Sequence, residues 1–287
     1  MMTIAFAQGV EVTQACVRRR FRYASCDACA GICPAQAFSL VDGEISVDAS
    51  RCIECGDCLF VCPSDAITGV APVRRFVREA TLVGPFSLRP PSVQELLLWH
   101  HQQGVRFISI EAERSAAWMM ALAGLNLALR RLGEPVWTFK RLPENEINSA
   151  RRAWLHVPRE AIAARAVVPG KRQLRQAFPR FSDYKLILDT QRCLLCGACW
   201  RSCTEKAIRF DGAALVTESA RCTGCGACTA VCQTQALQLS ETKEEAQVAH
   251  YAAHQAICQS CARPFWTFTP QEKSCSLCVN HRHGMRR

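Results

Sequence analysis

No cysteine falls between Cys62 and Cys193 of this 287-residue chain. No apolar run reaches the ~18 residues that a membrane-spanning helix needs. The longest candidate, Trp118–Leu129, is broken by Asn126 and closed by Arg130. The haem-attachment pattern C-x-x-C-H is missing, as is any phosphate-binding or flavin-type glycine fingerprint. The C-x3-C-x2-C spacing of radical S-adenosylmethionine enzymes is also absent, because Gln36, Asp65, Lys206 and Gln235 stand where its third cysteine would fall. Aromatics interleaved with a basic groove, as single-strand binders use, are not evident. No positively charged start with an apolar stretch precedes Cys16, so no export leader is expected. These absences argue against a membrane span, nucleic-acid binding and catalysis by the chain alone.

What the chain has is cysteine, 20 in all, of which 19 sit in five short runs. Cys52, Cys55, Cys58 and Cys62 read C-x2-C-x2-C-x3-C and are followed by Pro63. Cys193, Cys196, Cys199 and Cys203 repeat the spacing, and so do Cys222, Cys225, Cys228 and Cys232. Cys26, Cys29 and Cys33 give the same run without its first member, followed by Pro34. Nineteen positions separate Cys33 from Cys52 and also Cys203 from Cys222. An Ala and then an apolar residue follow each run at fixed distance, as Ala37-Phe38, Ala66-Ile67, Ala207-Ile208 and Ala236-Leu237. The pattern is therefore an internal repeat. Disulfides would need an oxidising compartment. Structural zinc prefers two separated C-x2-C pairs and has no use for a third cysteine two residues further on. A cubane iron–sulfur cluster does, since three thiolates on a tight loop hold three iron corners and the fourth is reached from elsewhere.

The repeat resembles the bacterial-type dicluster ferredoxin, a small α+β unit with a helix and a short hairpin in each half, over about Cys16–Val70 and Tyr184–Leu239. Val41–Val47, with Asp42-Gly43 at its centre, reads as such a hairpin, and Asp211-Gly212 holds the matching place in the second module. In that family the fourth cysteine of each run crosses to the other cluster. The resemblance thus implies four [4Fe–4S] clusters. One takes Cys193, Cys196, Cys199 and Cys232, and its partner Cys203, Cys222, Cys225 and Cys228. In the first module one takes Cys52, Cys55, Cys58 and Cys33; the other has Cys26, Cys29 and Cys62, while its first ligand falls on Tyr23. Either Cys16, the one cysteine outside any run, fills that place, or the cluster lacks an iron, as [3Fe–4S], or takes a non-cysteine ligand. With Cys16 the module has eight thiols for two cubanes, and that reading is preferred. The second module departs again, with Thr204 and Gln233 in place of the proline. Either each restores a backbone donor that raises that module's potentials, or the proline of the first module only shapes its turn.

Near the C-terminus, Cys258 and Cys261 form one C-x2-C pair and Cys275 and Cys278 another, with 13 residues between them. This predicts a zinc-ribbon-like tail holding one Zn, with Fe as the alternative. His281 and His283 are read as part of a basic tail with Arg282, Arg286 and Arg287.

The formal charge of +10 counts every cysteine as neutral. Sixteen thiolates against four oxidised cores of about +2 each leave about −8, and a four-thiolate zinc site adds about −2. The loaded protein is then close to neutral, so the basic balance does not call for nucleic acid. The basic groups Arg18–Arg20 and Arg151-Arg152 are read as offsetting cluster charge, with docking to an acidic redox partner as the alternative. Arg151-Arg152-Ala153-Trp154-Leu155 looks like a twin-arginine motif but lies mid-chain and reads as a basic helix start. Reduced thiols and labile clusters suit the cytoplasm.

The cysteine-free stretch predicts a small α/β layer. Ser92 and Glu95 make a capping box opening a helix that stops before Gly104. Val105–Ile110 reads as a strand, and Ser115 caps a helix to about Leu132 with Trp118, Leu122, Leu125 and Leu129 on one face. Val136–Phe139 reads as a further strand, giving an α-β-α-β order and a parallel sheet. His100 and His101 end the first helix, where its dipole favours cations. The expected fold class is α+β, with two dicluster modules (1–75 and 181–242) flanking an α/β domain and linker (76–180), and the ribbon-like segment at 243–287. The α/β domain is read as a scaffold that holds the modules apart or presents them to a partner. The expected function is electron transfer with a redox partner, by likeness a subunit or accessory of a molybdenum oxidoreductase. The alternative is an assembly, maturation or redox-sensing factor for such an enzyme.

Overall fold

A computed structural model of the chain describes residues 9–110, 116–140 and 162–280. Ser115, the Arg151-Arg152 segment, and His281, Arg282, His283, Arg286 and Arg287 lie outside the described residues. The described residues fall into two compact units. The first is drawn from Met1–Thr13, Ala28–Ser39 and Ser46–Phe178, the second from Gln14–Asp27, Leu40–Ile45 and Pro179–Arg287.

The fourfold repeat in sequence is a fourfold repeat in backbone. Three residues past the last cysteine of every run, Gln36, Asp65, Lys206 and Gln235 have φ between 50° and 55°. This left-handed kink turns the chain from cluster loop into strand. The Ala that follows is buried in all four repeats, as is the apolar residue after it. Each Ala carbonyl then accepts one backbone N–H: Asp48 to Ala37 at 2.9 Å, Thr13 to Ala66 at 2.7 Å, Glu218 to Ala207 at 2.8 Å and Asp189 to Ala236 at 2.8 Å. Small apolar side chains are needed there because the chains close tightly over the cluster loops.

Asp42 and Gly43, with φ of 50° and 85°, make the turn between strands Phe38–Val41 and Glu44–Val47. Both residues are left-handed, as a two-residue primed turn requires. The matching hairpin, Ile208–Phe210 with Ala214–Glu218, closes differently. Asp211 Oδ1 accepts from the Ala213 and Ala214 amides at 2.9 and 2.7 Å, so its side chain builds a three-residue loop.

The first unit contains a five-stranded sheet in the order Thr138–Phe139, Phe107–Ser109, Thr81–Val83, Arg75–Arg78, Ala163–Arg165. The first three strands are parallel, but Arg75–Arg78 pairs antiparallel with both its neighbours. The sheet is therefore mixed, not the purely parallel one expected. Helix Val93–Gln102 packs against Ala116–Leu132, and Trp118, Leu122, Leu125 and Leu129 are all buried on the predicted face. Ser92 Oγ accepts from the Glu95 amide at 3.2 Å, which is the first half of a capping box. The second half does not form: the Glu95 carboxylate instead takes Arg75 at 2.6 Å and Trp99 Nε1 at 3.2 Å, tying helix to sheet. Asn126 brackets Trp137, donating from Nδ2 to its carbonyl at 2.9 Å and accepting its amide on Oδ1 at 2.8 Å. A buried backbone stretch next to a short strand is thereby satisfied by a side chain.

His100 corrects an expectation. It is fully buried, with Nδ1 accepting from Trp137 Nε1 at 3.0 Å and Nε2 3.3 Å from Glu134 Oε2. Burial, with the Arg106 charge adding to it, pulls its pKa below the usual histidine value against the contrary effect of Glu134. It is a neutral core hydrogen-bonder, not a cation on the helix dipole.

Phe60, from helix Asp57–Val61 of the first cysteine repeat, is fully buried in the same core as Leu98, Trp99 and Leu125. Arg89 reaches Asp57 at 2.7 Å and Arg172 reaches Asp65 at 2.6 Å. The α/β layer and the Cys52–Cys62 loop are one packed body.

In the second unit, strands Phe181–Leu188 and Leu237–Glu245 pair antiparallel around the cysteine loops. Val248–Ala252 joins Ala214–Glu218 as a third strand. Hairpin His254–Ile257 with Pro264–Thr267 follows, and Phe210 stacks on Trp200 at 5.4 Å and meets Trp266 edge-on at 5.1 Å.

Candidate metal centres

The three complete runs share one loop shape. The second residue after the first cysteine is left-handed in each: Glu54 at φ 53°, Leu195 at 49° and Gly224 at 76°. So is the fourth: Gly56 at 74°, Gly197 at 88° and Gly226 at 73°, each capping the short helix that carries the third cysteine. These two kinks coil the loop so that three thiols converge. Glycine is needed at the second kink because only it takes this conformation without strain. Gly224 has a further reason, since a Cβ there would lie 2.1 Å from the Tyr184 ring. In the incomplete run the corresponding residues, Ser25 and Asp27, are not left-handed. Asp27 in place of glycine was the sequence sign that this loop differs, beyond the loss of its first cysteine.

The fourth cysteines are braced by donors. Ala37 N–H points to Cys33 Sγ at 3.3 Å and Ala66 N–H to Cys62 Sγ at 3.2 Å. Burial pushes Cys232 up, but the amides of Leu237, Ala236 and Thr234 and the Thr234 hydroxyl together hold its thiol below the usual range. The third cysteines are in the opposite situation. Burial pushes Cys58 and Cys199 up to about 12, and Cys228 well above the usual thiol range. As thiolates these groups need a nearby positive charge, which a metal supplies.

The same charges show which thiols lie together. Cys193, Cys196 and Cys232 bear on Cys199, and Cys222, Cys225 and Cys203 bear on Cys228. Cys33 bears on Cys55, and Cys55 and Cys52 bear on Cys58. Cys33, Cys203 and Cys232, the fourth cysteines of three runs, thus each lie near the other run of their module. A cavity lined by Cys203, Cys222, Cys225 and Cys228 also holds Thr223, whose buried Oγ1 has no hydrogen-bond partner among the described residues. Four thiols and an orphaned hydroxyl around one cavity fit an anionic cage of iron and sulfide, whose sulfurs accept hydrogen bonds.

Cys16 is buried at the start of the short helix Val17–Arg20. Arg18 of that helix donates through Nε to the Cys26 carbonyl and through Nη1 to the Gly43 carbonyl at 2.9 Å. Arg18 is a brace within the fold. Tyr23 is exposed, with Arg22 over its ring.

Cys258, Cys261, Cys275 and Cys278 hold their sulfurs within 4.8 Å of one another, with Cys261 and Cys275 at 3.9 Å. Two sulfurs bound to one tetrahedral ion at 2.3 Å lie about 3.8 Å apart, so this is the spacing of a mononuclear site. Among the described residues no other three Cys, His, Asp or Glu side chains converge so closely. The remaining cysteine loops are wider, as a multi-iron cage demands. The Cys275 amide donates to Cys258 Sγ at 3.3 Å and draws that thiol down, while hydrogen bonds to Cys275 and Cys261 push Cys278 up.

Repeated cysteine loops with donors aimed at sulfur, and three fourth cysteines lying near the other run, are the features of an iron–sulfur protein. Residues 24–67 and 185–233 each match a family model described as a 4Fe-4S dicluster domain. The chain carries two 4Fe-4S dicluster domains, which imply four [4Fe–4S] clusters. No curated protein matches the chain. Among the described residues no helix is long and apolar enough to cross a membrane.

Proposed function

We propose that this protein carries electrons singly through four [4Fe–4S] clusters, as a subunit or accessory of a cytoplasmic oxidoreductase such as a molybdenum enzyme. The observation that carries the reading is the shared loop geometry of the three complete runs, with Cys33, Cys203 and Cys232 each near the other run of its module. A bound cubane supplies one-electron chemistry at a potential set by its surroundings. The chain's part is to hold sixteen thiolates, aim amides at their sulfurs and keep water from Cys58, Cys199 and Cys228.

In this reading the ligand sets are Cys52, Cys55, Cys58 with Cys33; Cys26, Cys29, Cys62 with Cys16; Cys193, Cys196, Cys199 with Cys232; and Cys203, Cys222, Cys225, Cys228. Cys16 is supported by its burial and by Arg18, which ties its helix to the Cys26 carbonyl. The four C-terminal thiols hold zinc as a ribbon-like structural site, and residues 1–75, 76–180, 181–242 and 243–287 are the sequence domains.

The test is anaerobic isolation with counts of iron, zinc and acid-labile sulfide, followed by redox titration. About sixteen irons, sixteen sulfides and one zinc per chain are expected. In Cys16→Ser one cluster should lose its four-iron EPR signal. Colourless protein without labile sulfide would sink the proposal, and an unchanged Cys16→Ser spectrum would remove that ligand.

A further inference from the structure

The geometry points to an electron junction between the two dicluster modules, at which Cys26 of the first faces Cys225 of the second, making the clusters one four-step path. This rests on the cluster assignment above and adds an order to it.

Within the second unit, Cys26 and Cys225 border the same small apolar cluster, built from Val17, Ala24 and Ala227. They are close enough for the charge of Cys26 to bear on Cys225. Cys26 and Cys225 hold equivalent places, each being the second position of its run. The contact is thus symmetric between repeats, and it is lined by alanines, the smallest side chains that still exclude water.

Each module has its own internal junction, and it uses a different cysteine. In the first unit the short helices Ala28–Ile32 and Asp57–Val61 pack together, and Cys29 bears on Cys58. In the second, helices Ala198–Ser202 and Ala227–Ala230 pack together, and Cys199 bears on Cys228. All four are third positions of their runs. Third positions thus join clusters inside a module and second positions join the modules. The order is the Cys52 run, the Cys26 run, the Cys222 run, the Cys193 run.

Exposure follows that order independently. The residue after the first position is Ile53 in the first of these runs and Leu194 in the last, 62% and 41% exposed. In the two middle runs it is Ala24 and Thr223, only 4% and 2% exposed. The outer loops present apolar residues to solvent where a redox partner can dock, and the inner loops are sealed. Transfer across the junction moves one electron: one cage is oxidised as its neighbour is reduced, and no bond or proton changes hands.

Iron-edge anomalous diffraction from crystals of the anaerobic holoprotein tests the order directly. Four iron cages are expected, with the gap across Cys26 and Cys225 no longer than the gaps inside the modules. A Cys26–Cys225 gap wider than both internal gaps by a cluster's width or more overturns the junction. Fewer than four cages would instead refute the cluster assignment. As the functional arm, holoprotein given one electron per chain from dithionite is followed by rapid-freeze EPR. In Ala24→Leu and Ala227→Leu, at unchanged iron content, electron exchange between modules should slow at least tenfold. Unchanged exchange in both loaded variants overturns the proposal. If neither variant loads iron, the diffraction result alone decides.

Discussion

Replacing Thr223 by valine should lower the potential of one cluster and leave the other three unmoved. The Thr223 hydroxyl is buried against the cavity of Cys203, Cys222, Cys225 and Cys228 and has no partner among the described residues. A hydrogen bond to a charged acceptor contributes about 1.5–3 kcal/mol. Only the part that strengthens when the cluster gains its extra negative charge affects the potential. Taking that part as about a third gives ~0.5–1 kcal/mol. One-electron couples shift ~59 mV for each tenfold change in equilibrium constant, or 1.4 kcal/mol, so Thr223→Val should move one midpoint down by ~20–40 mV. Thr223→Ser keeps the donor and should stay at the wild-type value. In the metal-free chain the sign reverses in a different observable. An orphaned buried hydroxyl costs ~1–3 kcal/mol, so valine should stabilise any residual apo fold. The assay is an anaerobic EPR-monitored redox titration of all three proteins at matched iron content. A valine midpoint equal to or above wild type would refute the hydroxyl–sulfide contact.

Phe60→Ala should cost the first unit about 3–5 kcal/mol, and Phe60→Leu much less, in anaerobic denaturant titrations. His100 is held below its unfolded pKa of 6.5. The unfolded chain therefore binds the extra proton first as pH drops, so the stabilisation is whole above 6.5 and is lost as pH falls from there toward the folded value. Wild type should lose more stability between pH 7.5 and 5.5 than His100→Gln, and parallel pH profiles would contradict this. A chelator selective for zinc over cluster iron should remove one metal and relax the Cys258–Cys278 segment while leaving the visible iron–sulfur absorbance in place. Bleaching in step with zinc release would show the two kinds of site to be interdependent.

The cysteine loops and the long helices were legible because their signals are local. Asp42-Gly43 announces a primed turn by the conformations that only such residues accept, and Trp118, Leu122, Leu125 and Leu129 announce a helix face by spacing alone. The strands Arg75–Arg78, Thr81–Val83 and Ala163–Arg165 escaped notice. Each has three or four residues, two carry arginines, and what makes them strands is pairing with chain far away in sequence. His100 misled for a related reason: its place near a helix end was visible, but its burial depends on Trp137 and Glu134. The capping box was half right because Glu95 found Arg75, a long-range partner that outweighs a local amide. Crossed ligation was suggested by resemblance, yet the Cys26–Cys225 approach was not, since no spacing within either module encodes it.

Phe60 has a consequence for the life cycle of the protein. The helix that presents Cys58 is also a wall of the hydrophobic interior beneath the cysteine-free sheet. Whatever free energy is released when metal captures that loop is shared with a layer that touches no metal at all. Iron starvation should therefore soften the sheet layer too, and a chain that misses its cofactor becomes a better protease substrate along its whole first unit.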